Sequence, residues 1–444
     1  ERRWVYLHYF KDGQPSINWL DPTFAGMRLV MGDALHSLTD LGSGGLRLDA
    51  NGFLGVEARA DQGPAWSEGH PLSQGANQLI GSMVRKVGGF TFQELNLSME
   101  DIVATGSVGP DLSYDFVTRP ACQYALLAQD TEFLKITLKE AIRVGIVQAS
   151  LVHALQNHDE LTYELVHFDS EHGADEFSFG GDTYTGKELA KYIRADMTDR
   201  LTGENAPYNA TFVENGITCT TVSLIAAYLG IKDLDSITAE QKEEIIKIHL
   251  LLVMFNAWQP GVLALSGWDL VGALPLKREQ IPSLIASGDT RWLERGAYDL
   301  MGWCPVVETL PAVPKAISLY GSLPDQLADP NSFVSRLAKI LKVRKAHGIS
   351  TGELLDIPDS PHQLLIMVNR LAIGAVQITV LNFGPEPLKA DVMSEYIPAG
   401  TVVDLANRSQ LCQVSKKDKN SKKRGFSIEL SGYGGSVTLI REER

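Results

Sequence analysis

The sequence lacks any uninterrupted apolar run of the length that a membrane-spanning helix requires, although 44% of its 444 residues are hydrophobic. It also lacks an excess of basic residues. Lys and Arg number 40 against 54 Asp and Glu, so the formal net charge is −14. Nucleic-acid binding needs clustered cations that neutralise phosphates, and we interpret the one basic run, residues 416–424, as a solvated loop. We therefore expect no membrane partner and no nucleic-acid partner.

Cysteine is scarce as well, and no two cysteines form a CxxC pair. The four are Cys122, Cys219, Cys304 and Cys412. This wide spacing is typical of reduced thiols in a cytosolic protein rather than of a disulfide scaffold. No apolar segment of the signal-peptide type stands at the N-terminus. We therefore expect a cytoplasmic location.

The order of helical and strand-like patterns indicates two kinds of domain. Strand patterns lie at 46–50, 89–95, 112–117, 150–156 and 262–266, and helical patterns lie at 27–41, 121–144, 239–255 and 335–347. Strands that alternate with helices indicate a parallel sheet. After about residue 350, strand patterns dominate, at 364–368, 375–381, 401–405 and 426–439. We predict an α/β domain over residues 1–348, with an insertion at about 166–250, and a β domain over residues 349–444.

Three acidic residues lie at the ends of predicted parallel strands. Asp49 ends LRLD, Glu94 ends FTFQE, and Asp159 follows LVHALQNH. Side chains at the carboxyl ends of barrel strands meet on one face of a (β/α) barrel. Retaining glycoside hydrolysis uses one carboxylate as nucleophile and a second carboxyl as acid and base. Arg47 precedes Asp49 by two residues on the same strand face, so we expect its charge to favour the ionised nucleophile.

These residues resemble the motifs of glycoside hydrolase family 13, the α-amylase family. The segment 45–50 (GLRLDA) is similar to the fourth-strand motif, in which the Asp is the nucleophile. Residues 92–94 (FQE) are similar to the fifth-strand motif with its acid/base Glu, and residues 157–159 (NHD) to the seventh-strand motif. The resemblance implies that Asp49 is the nucleophile, Glu94 the acid/base and Asp159 the residue that stabilises the transition state. It also implies a (β/α)8 TIM-type barrel, of which strands 4 to 8 are readable here, followed by an antiparallel β-sandwich domain.

Within that family, two segments resemble trehalose synthases, which interconvert maltose and trehalose by intramolecular transglucosylation. They are NHDELT at 157–162 and QPSINW at 14–19. The resemblance implies substrate-binding roles for Arg47, His158 and Glu160, with maltose and trehalose as substrates. The segment 265–272 (LSGWDLVG) differs from the usual eighth-strand segment of that group, although its Asp269 is placed similarly. An α-glucosidase or an intermolecular α-transglucosylase therefore stays an alternative, as does a non-catalytic binding member.

The same resemblance defines expectations about missing parts and cofactors. The chain begins just before the fourth strand, and five parallel strands cannot close a barrel. We therefore expect the first three strands to lie upstream or on another chain. No cofactor is required by this chemistry and no metal ligands are assigned, since the structural calcium of family members is held by the part that is absent here. Two weaker motifs, 181–188 (GDTYTGKE) and the acids and histidines of 167–172, are interpreted as a β-turn before a helix and as a polar loop.

Overall fold

The computed structural model describes residues 16–442, apart from residues 20, 22, 24, 58, 61–64, 68–69, 305–312 and 415–422. The chain divides into two compact units. The first takes in the chain up to Tyr114 together with Ser150–Val152, and the second takes in Asp115–Ala149 and the chain from His153 onward. In the described part of the chain, no helix combines the length and the apolar character that a bilayer crossing would demand.

The first unit alternates helices with strands. Its helices are α1 (Ala25–Asp40), α2 (Pro71–Lys86) and α3 (Met99–Val108), and its strands are β1 (Gly45–Asp49), β2 (Phe90–Glu94), β3 (Leu112–Tyr114) and the beginning of β4 (Leu151–Ala154). Pro71 occupies the first helical position of α2, where its missing N–H has no intrahelical partner to lose. Ala76, Ile80 and Val84 then recur every four residues and form a buried stripe against α1. This stripe forms the small apolar core of the unit.

The strands of the first unit pair in parallel, as the alternation of helices and strands predicts. In the β1–β2 pair, Arg47 is the register partner of Phe92, and Asp49 is the partner of Glu94. The pairs β2–β3 and β3–β4 are also parallel. The full strand order of this sheet is β1-β2-β3-β4 and then β10 (Val262–Ala264). The predicted strands therefore exist, each within a few residues of its expected bounds.

The helices of the second unit surround a large apolar core. They are α4 (Thr118–Ala128), α5 (Glu132–Val144), α6 (Gly186–Leu201), α7 (Thr221–Tyr228), α8 (Ala239–Ala257), α9 (Gly267–Val271), α10 (Pro282–Ile285), α11 (Leu323–Ala328) and α12 (Phe333–His347). The prediction of a single helix over 121–144 is wrong, because α4 ends at Ala128 and α5 begins at Glu132. Gln129 adopts a left-handed conformation with φ 53°. The Thr131 amide then donates to the carbonyl oxygen of His362 at 2.6 Å instead of continuing a helix.

The insertion contains short strands between its helices. They are β5 (Leu161–Thr162), β6 (Glu176–Phe179), β7 (Asp182–Thr185), β8 (Ala210–Thr211) and β9 (Gly216–Thr218). Gly180 and Gly181 both have positive φ and form the turn of the β6–β7 hairpin. Thr185 and Glu188 then form the capping box that starts α6. The turn and the helix expected over 181–188 are therefore both present, but strand β7 separates them, which the interpretation did not include.

The chain ends in an antiparallel β-sandwich. Its strands are β11 (Glu353–Asp356), β12 (Leu364–Arg370), β13 (Val376–Asn382), β14 (Leu388–Ser394), β15 (Gly400–Asp404), β16 (Ser409–Val414), β17 (Arg424–Leu430) and β18 (Gly435–Glu442). Alternate residues of β12 face two different cores. Leu365 and Met367 pack into the large helical core, whereas Leu364, Ile366 and Val368 pack against the β14–β17 pair.

Burial on both faces explains why β12 is continuously apolar from Leu364 to Val368 rather than alternating. The single strand expected over 426–439 is instead two, β17 and β18, which are separated by a turn in which Tyr433 has φ 50°. The sequence patterns also missed β11, β14 and β16. In β14, exposed and buried residues alternate over LKADVMS, so the strand contains no continuous apolar run.

Candidate active site

The two carboxylates at the ends of β1 and β2 are neighbours across the sheet. Asp49 and Glu94 are register partners in a parallel pair, so their side chains leave the sheet on the same face. Adjacent strands lie about 4.8 Å apart. The Asp49 side chain is 76% exposed, whereas that of Glu94 is 10% exposed. Two carboxyl groups of the same face therefore have very different access to water, which is what distinct chemical roles require.

Arg47 contacts both of these carboxylates. Its guanidinium Nη2 lies 3.5 Å from Asp49 Oδ1 and forms a closer ion pair with Glu94 Oε2. The expectation from the sequence concerned Asp49 alone, and the structure places the guanidinium nearer to Glu94. The other oxygen, Glu94 Oε1, is buried, and no group among the described residues hydrogen-bonds to it. A buried oxygen without a partner is unusual in a native structure and calls for a functional explanation.

A network of buried amide side chains supports the end of β1. Asn51 Nδ2 donates to Asn77 Oδ1 at 2.9 Å and to Gln93 Oε1 at 3.1 Å, and Asn77 Nδ2 returns a bond to the Asn51 carbonyl oxygen. All three amides are at most 2% exposed. Ala50, between Asp49 and Asn51, has φ 45°. The network holds the chain at the point where Asp49 leaves the strand, and the sequence patterns did not reveal it.

In the second unit, Asp159 is bound by two arginines of a distant segment. Arg291 Nη1 lies 3.0 Å from Asp159 Oδ1, and Arg295 Nη2 lies 2.8 Å from the same oxygen. His158 Nε2 lies 3.2 Å from the other oxygen, Oδ2. The Asp159 amide donates to Asn157 Oδ1 at 3.2 Å, which fixes the turn after β4. The structure therefore places the His158 ring beside one oxygen of Asp159. It also places two arginines, which the sequence did not indicate, at the other oxygen.

Two further acids, the partly buried Glu160 and the buried Glu294, belong to the second unit like Asp159. Burial raises the pKa of Glu160, and the charge of Asp159 adds to this effect while Arg291 opposes it. Burial also raises the pKa of Glu294 well above its ordinary value, against the charge of Arg119. Glu294 is 2% exposed, and its Oε2 accepts the Cys219 amide at 3.1 Å. In both groups, burial is the largest cause of the raised pKa, and a neighbouring arginine opposes it.

A charged pair is buried at the beginning of the second unit. His153 of β4 and Asp115 are 1% and 4% exposed, and Nδ1 of His153 lies 2.8 Å from Oδ2 of Asp115. The other ring nitrogen lies 2.8 Å from the carbonyl oxygen of Pro260. Both ring nitrogens of His153 therefore lie at hydrogen-bond distance from an oxygen acceptor. Burial alone would raise the pKa of Asp115, but the hydrogen bond and charge of His153, with Thr118, lower it overall.

The segment after β10 is occupied by a short helix. Asp269, which sequence comparison placed near the eighth-strand motif, is 1% exposed. Its oxygens accept hydrogen bonds from Thr221 and Ser266, both at 2.7 Å, and His249 Nε2 lies 3.3 Å away. Its carboxylate therefore holds the start of α9 in place and has no oxygen directed to solvent.

Three of the polar side chains of 167–172 lie close to an oppositely charged or acidic group outside the segment. Asp169 binds Arg194 at 2.9 Å, and His172 Nδ1 lies 2.6 Å from Asp175. His167 is buried, with Nε2 3.4 Å from Glu140. The interpretation of this segment as a polar loop is wrong, because His167–Glu171 forms a short π-helix in which His167 and Phe168 are buried. Residues 1–15, which include the first two residues of the QPSINW segment, lie outside the described residues.

Comparison with known proteins identifies the fold. No protein-family model matches the sequence, and no curated protein matches it. Three solved structures with the same fold illustrate the structural similarity. They are the α-amylase of H. orenii (13% identity, 98% of this chain, 67% of that chain, TM-score 0.58), a trehalulose synthase variant in complex with Tris (14%, 98%, 72%, 0.58) and the trehalose-6-phosphate hydrolase of Bacillus licheniformis (14%, 98%, 72%, 0.56).

These similarities confirm the predicted fold. The chain adopts the α-amylase-type TIM-barrel architecture with a C-terminal antiparallel β domain, and it spans about two thirds of the length of the structures that it matches. At 13–14% identity, the similarity shows the fold and leaves the reaction to the chemistry of the site.

Proposed function

We propose that this protein is a retaining α-glucosyl-transferring enzyme that works through a covalent glucosyl-enzyme. The observation that carries the proposal is the register pairing of Asp49 with Glu94 at the carboxyl ends of adjacent parallel strands. Strand spacing of about 4.8 Å matches the roughly 5–5.5 Å that separates the two carboxyl groups in retaining enzymes. Asp49 attacks the anomeric carbon, and Glu94 protonates the leaving oxygen. Both steps use carboxyl groups, so the reaction needs no cofactor.

The surroundings of Glu94 are compatible with its two successive roles as general acid and general base. In the first half of the reaction it gives a proton to the departing sugar, and in the second half it takes a proton from the incoming acceptor. Its unpartnered oxygen, Oε1, is the atom free to hold that proton. The guanidinium of Arg47 on Oε2 stabilises the ionised form. Glu94 therefore has one oxygen that contacts the guanidinium and one oxygen without a hydrogen-bond partner among the described residues.

The substrates that we propose for this protein are maltose and trehalose. The NHDELT segment supports this choice, because His158, Asp159 and Glu160 present a donor and acceptors suited to sugar hydroxyls. Two of the structurally similar proteins are named as a trehalulose synthase and a trehalose-6-phosphate hydrolase, both names of α-glucoside chemistry. The glucose released in the first half would be retained and would re-attack through a different hydroxyl, giving isomerisation instead of hydrolysis.

A second candidate is an α-glucosidase or an intermolecular α-transglucosylase. The segment after β10 favours it, because Asp269 is buried and fully engaged with Thr221 and Ser266. A carboxylate in that position cannot help to retain the released glucose. Water or another sugar would then intercept the glucosyl-enzyme more readily.

Incubation with maltose separates the two candidates. Trehalose as the main product is expected of the isomerase, whereas glucose or longer glucosides identify the second candidate. Failure to convert any short α-glucoside would contradict both.

Azide distinguishes the roles of the two carboxylates. With an activated α-glucoside, Glu94→Ala should yield the α-glucosyl azide, since azide replaces the acceptor on an intact intermediate. Asp49→Ala should yield the β-glucosyl azide, since azide replaces the nucleophile itself. The exposed carboxylate Asp391 on β14 supplies the control, and Asp391→Ala should keep wild-type rates. Exchanged or absent azide products would reverse or refute the assignments.

A further inference from the structure

The contacts of Asp159 are strongly asymmetric between its two oxygens. Oδ1 receives two guanidinium groups, from Arg291 at 3.0 Å and from Arg295 at 2.8 Å. Oδ2 lies 3.2 Å from the half-exposed ring of His158. Two charge-assisted hydrogen bonds on one oxygen fix the rotation of the carboxylate about its own axis. Oδ2 is thereby the oxygen left for an additional donor.

Arg291 is itself held firmly from its other side. Its Nε and Nη2 bind the two oxygens of Asp289 at 2.8 and 2.9 Å. The guanidinium carbon also lies 4.3 Å from the centroid of the Phe212 ring, a cation–π distance. Hydrogen bonding from Arg291 lowers the pKa of Asp289, so this pair stays charged. Little rotamer freedom remains to be lost when Arg291 binds Asp159.

Arg295 is fixed by the backbone of the same turn that carries Asp159. Its Nε donates to the carbonyl oxygen of His158 at 2.6 Å, while its Nη2 binds Asp159. The side chains of Arg291 and Arg295 are 19% and 20% exposed, so solvent screens these contacts only partly. Arg295 thus binds both the backbone of His158 and the side chain of Asp159 at the end of the NHD motif.

We infer that Arg291 and Arg295 are positioning residues that fix the orientation of the Asp159 carboxylate through Oδ1, leaving Oδ2 as the oxygen that accepts a hydrogen bond from a sugar hydroxyl in the glucosyl transfer proposed above. The inference rests on that proposed function. An ionised carboxylate in a fixed orientation accepts hydrogen bonds from ring hydroxyls more strongly than a rotating one. The arginines act through Asp159 and need not touch the substrate.

A double-mutant cycle between Arg295 and Asp159 tests the inference. Arg295→Ala should lower kcat/KM for 4-nitrophenyl α-glucoside by roughly 10- to 100-fold, the loss expected from a charge-assisted hydrogen bond. In an Asp159→Ala background, the same change should cost less than about threefold, because its target is already gone. Arg295→Lys should recover part of the rate, and added guanidinium ion should partly restore Arg295→Ala. Arg291→Ala should follow the same pattern.

The control is an arginine–carboxylate pair outside this region. Arg370 binds Glu353 at 2.5 Å in the β domain, with both side chains more than half exposed. Arg370→Ala should leave kcat/KM unchanged. If Arg295→Ala keeps the wild-type rate, or if its loss adds fully to that of Asp159→Ala, the inference is overturned.

The unfolding equilibrium separates this outcome from a failure of the proposed function. The wild type, Arg295→Ala, Asp159→Ala and the double variant should show at least fivefold coupling in their unfolding constants in urea. This coupling does not depend on catalysis. If the unfolding constants show coupling but the wild-type protein converts no short α-glucoside, the proposed function is refuted. The catalytic role of the arginines is then refuted with it. Absence of coupling in both measurements would show that the contact itself does not exist in solution.

Discussion

Removal of the His153 ring should destabilise the second unit strongly. In His153→Ala, the Asp115 carboxylate loses the donor that lies 2.8 Å from its Oδ2, and the Pro260 carbonyl oxygen loses its donor as well. The side chains of His153 and Asp115 are 0% and 2% exposed, so water cannot replace either bond without entering the core. The variant therefore leaves a buried charge unpaired.

The size of the effect follows from that burial. Breaking a buried ion pair by removing one partner costs about 3–5 kcal/mol of unfolding free energy. We expect a loss of about 4 kcal/mol at pH 7, measured by urea unfolding. A matched control is His362→Ala, because the His362 ring is 76% exposed and lies 3.3 Å from Asp130. An exposed pair of this kind contributes about 0–1 kcal/mol.

The pH dependence gives a second, independent check. The folded pKa of Asp115 is lowered in the wild type, so the pair stabilises the fold above the unfolded pKa of about 3.9 and the benefit is lost as the pH falls through the lower folded pKa. In His153→Ala, the hydrogen bond and charge of His153 are gone while burial and the bonds from Thr118 remain, so the pKa of Asp115 should rise above its wild-type value. The difference between the two proteins should therefore shrink from pH 7 towards pH 4. A loss below 1 kcal/mol at pH 7, or a difference independent of pH, would refute the charged pair.

Two further predictions concern buried cations of the second unit. Arg344 donates to the carbonyl oxygens of Ala257 at 2.6 Å and Gln259 at 2.9 Å, and burial lowers its pKa to about 10. Arg344→Ala should cost about 3 kcal/mol in urea unfolding, because these carbonyls lose their donor, and a loss under 1 kcal/mol would contradict this. Burial lowers the pKa of Lys135 to about 8, below its unfolded value of about 10.4. Stability relative to Lys135→Met should therefore rise between pH 8 and pH 10, since the unfolded chain binds the proton more tightly there, and a flat difference would count against the shift.

The strand ends that carry Asp49 and Glu94 were predictable from local sequence. Short apolar strands that end in an acid and alternate with helices leave few alternatives to a parallel sheet, and the observed pairing of these two residues follows. The break between α4 and α5 was not predictable in this way. Residues on both sides of Gln129 favour helix, and the turn is stabilised by a hydrogen bond from Thr131 to His362, which is more than two hundred residues away. Tertiary contacts override local propensity there.

The partners of Asp159 were equally hidden in the sequence. Arg291 and Arg295 are 132 and 136 residues from it along the chain and belong to no recognisable motif. Arginines on a polar segment are common, and only the folded chain shows that two of them meet one carboxylate oxygen. The amide network of Asn51 was missed for the same reason, because its members come from three separate elements.

Arg47 shows how register adds chemistry that a single strand does not reveal. Alternation along β1 places Arg47 and Asp49 on one face, and that relation alone suggests a cation that serves the nucleophile. The parallel register places Glu94 on the same face, and the guanidinium contacts both carboxylates. In the proposed reaction, glucosylation consumes the negative charge of Asp49. The guanidinium is then left with Glu94 as its anionic partner, which favours the base form that the second half of the reaction requires. One cation shared between two carboxylates can thus support the change of role that Glu94 undergoes between the two steps.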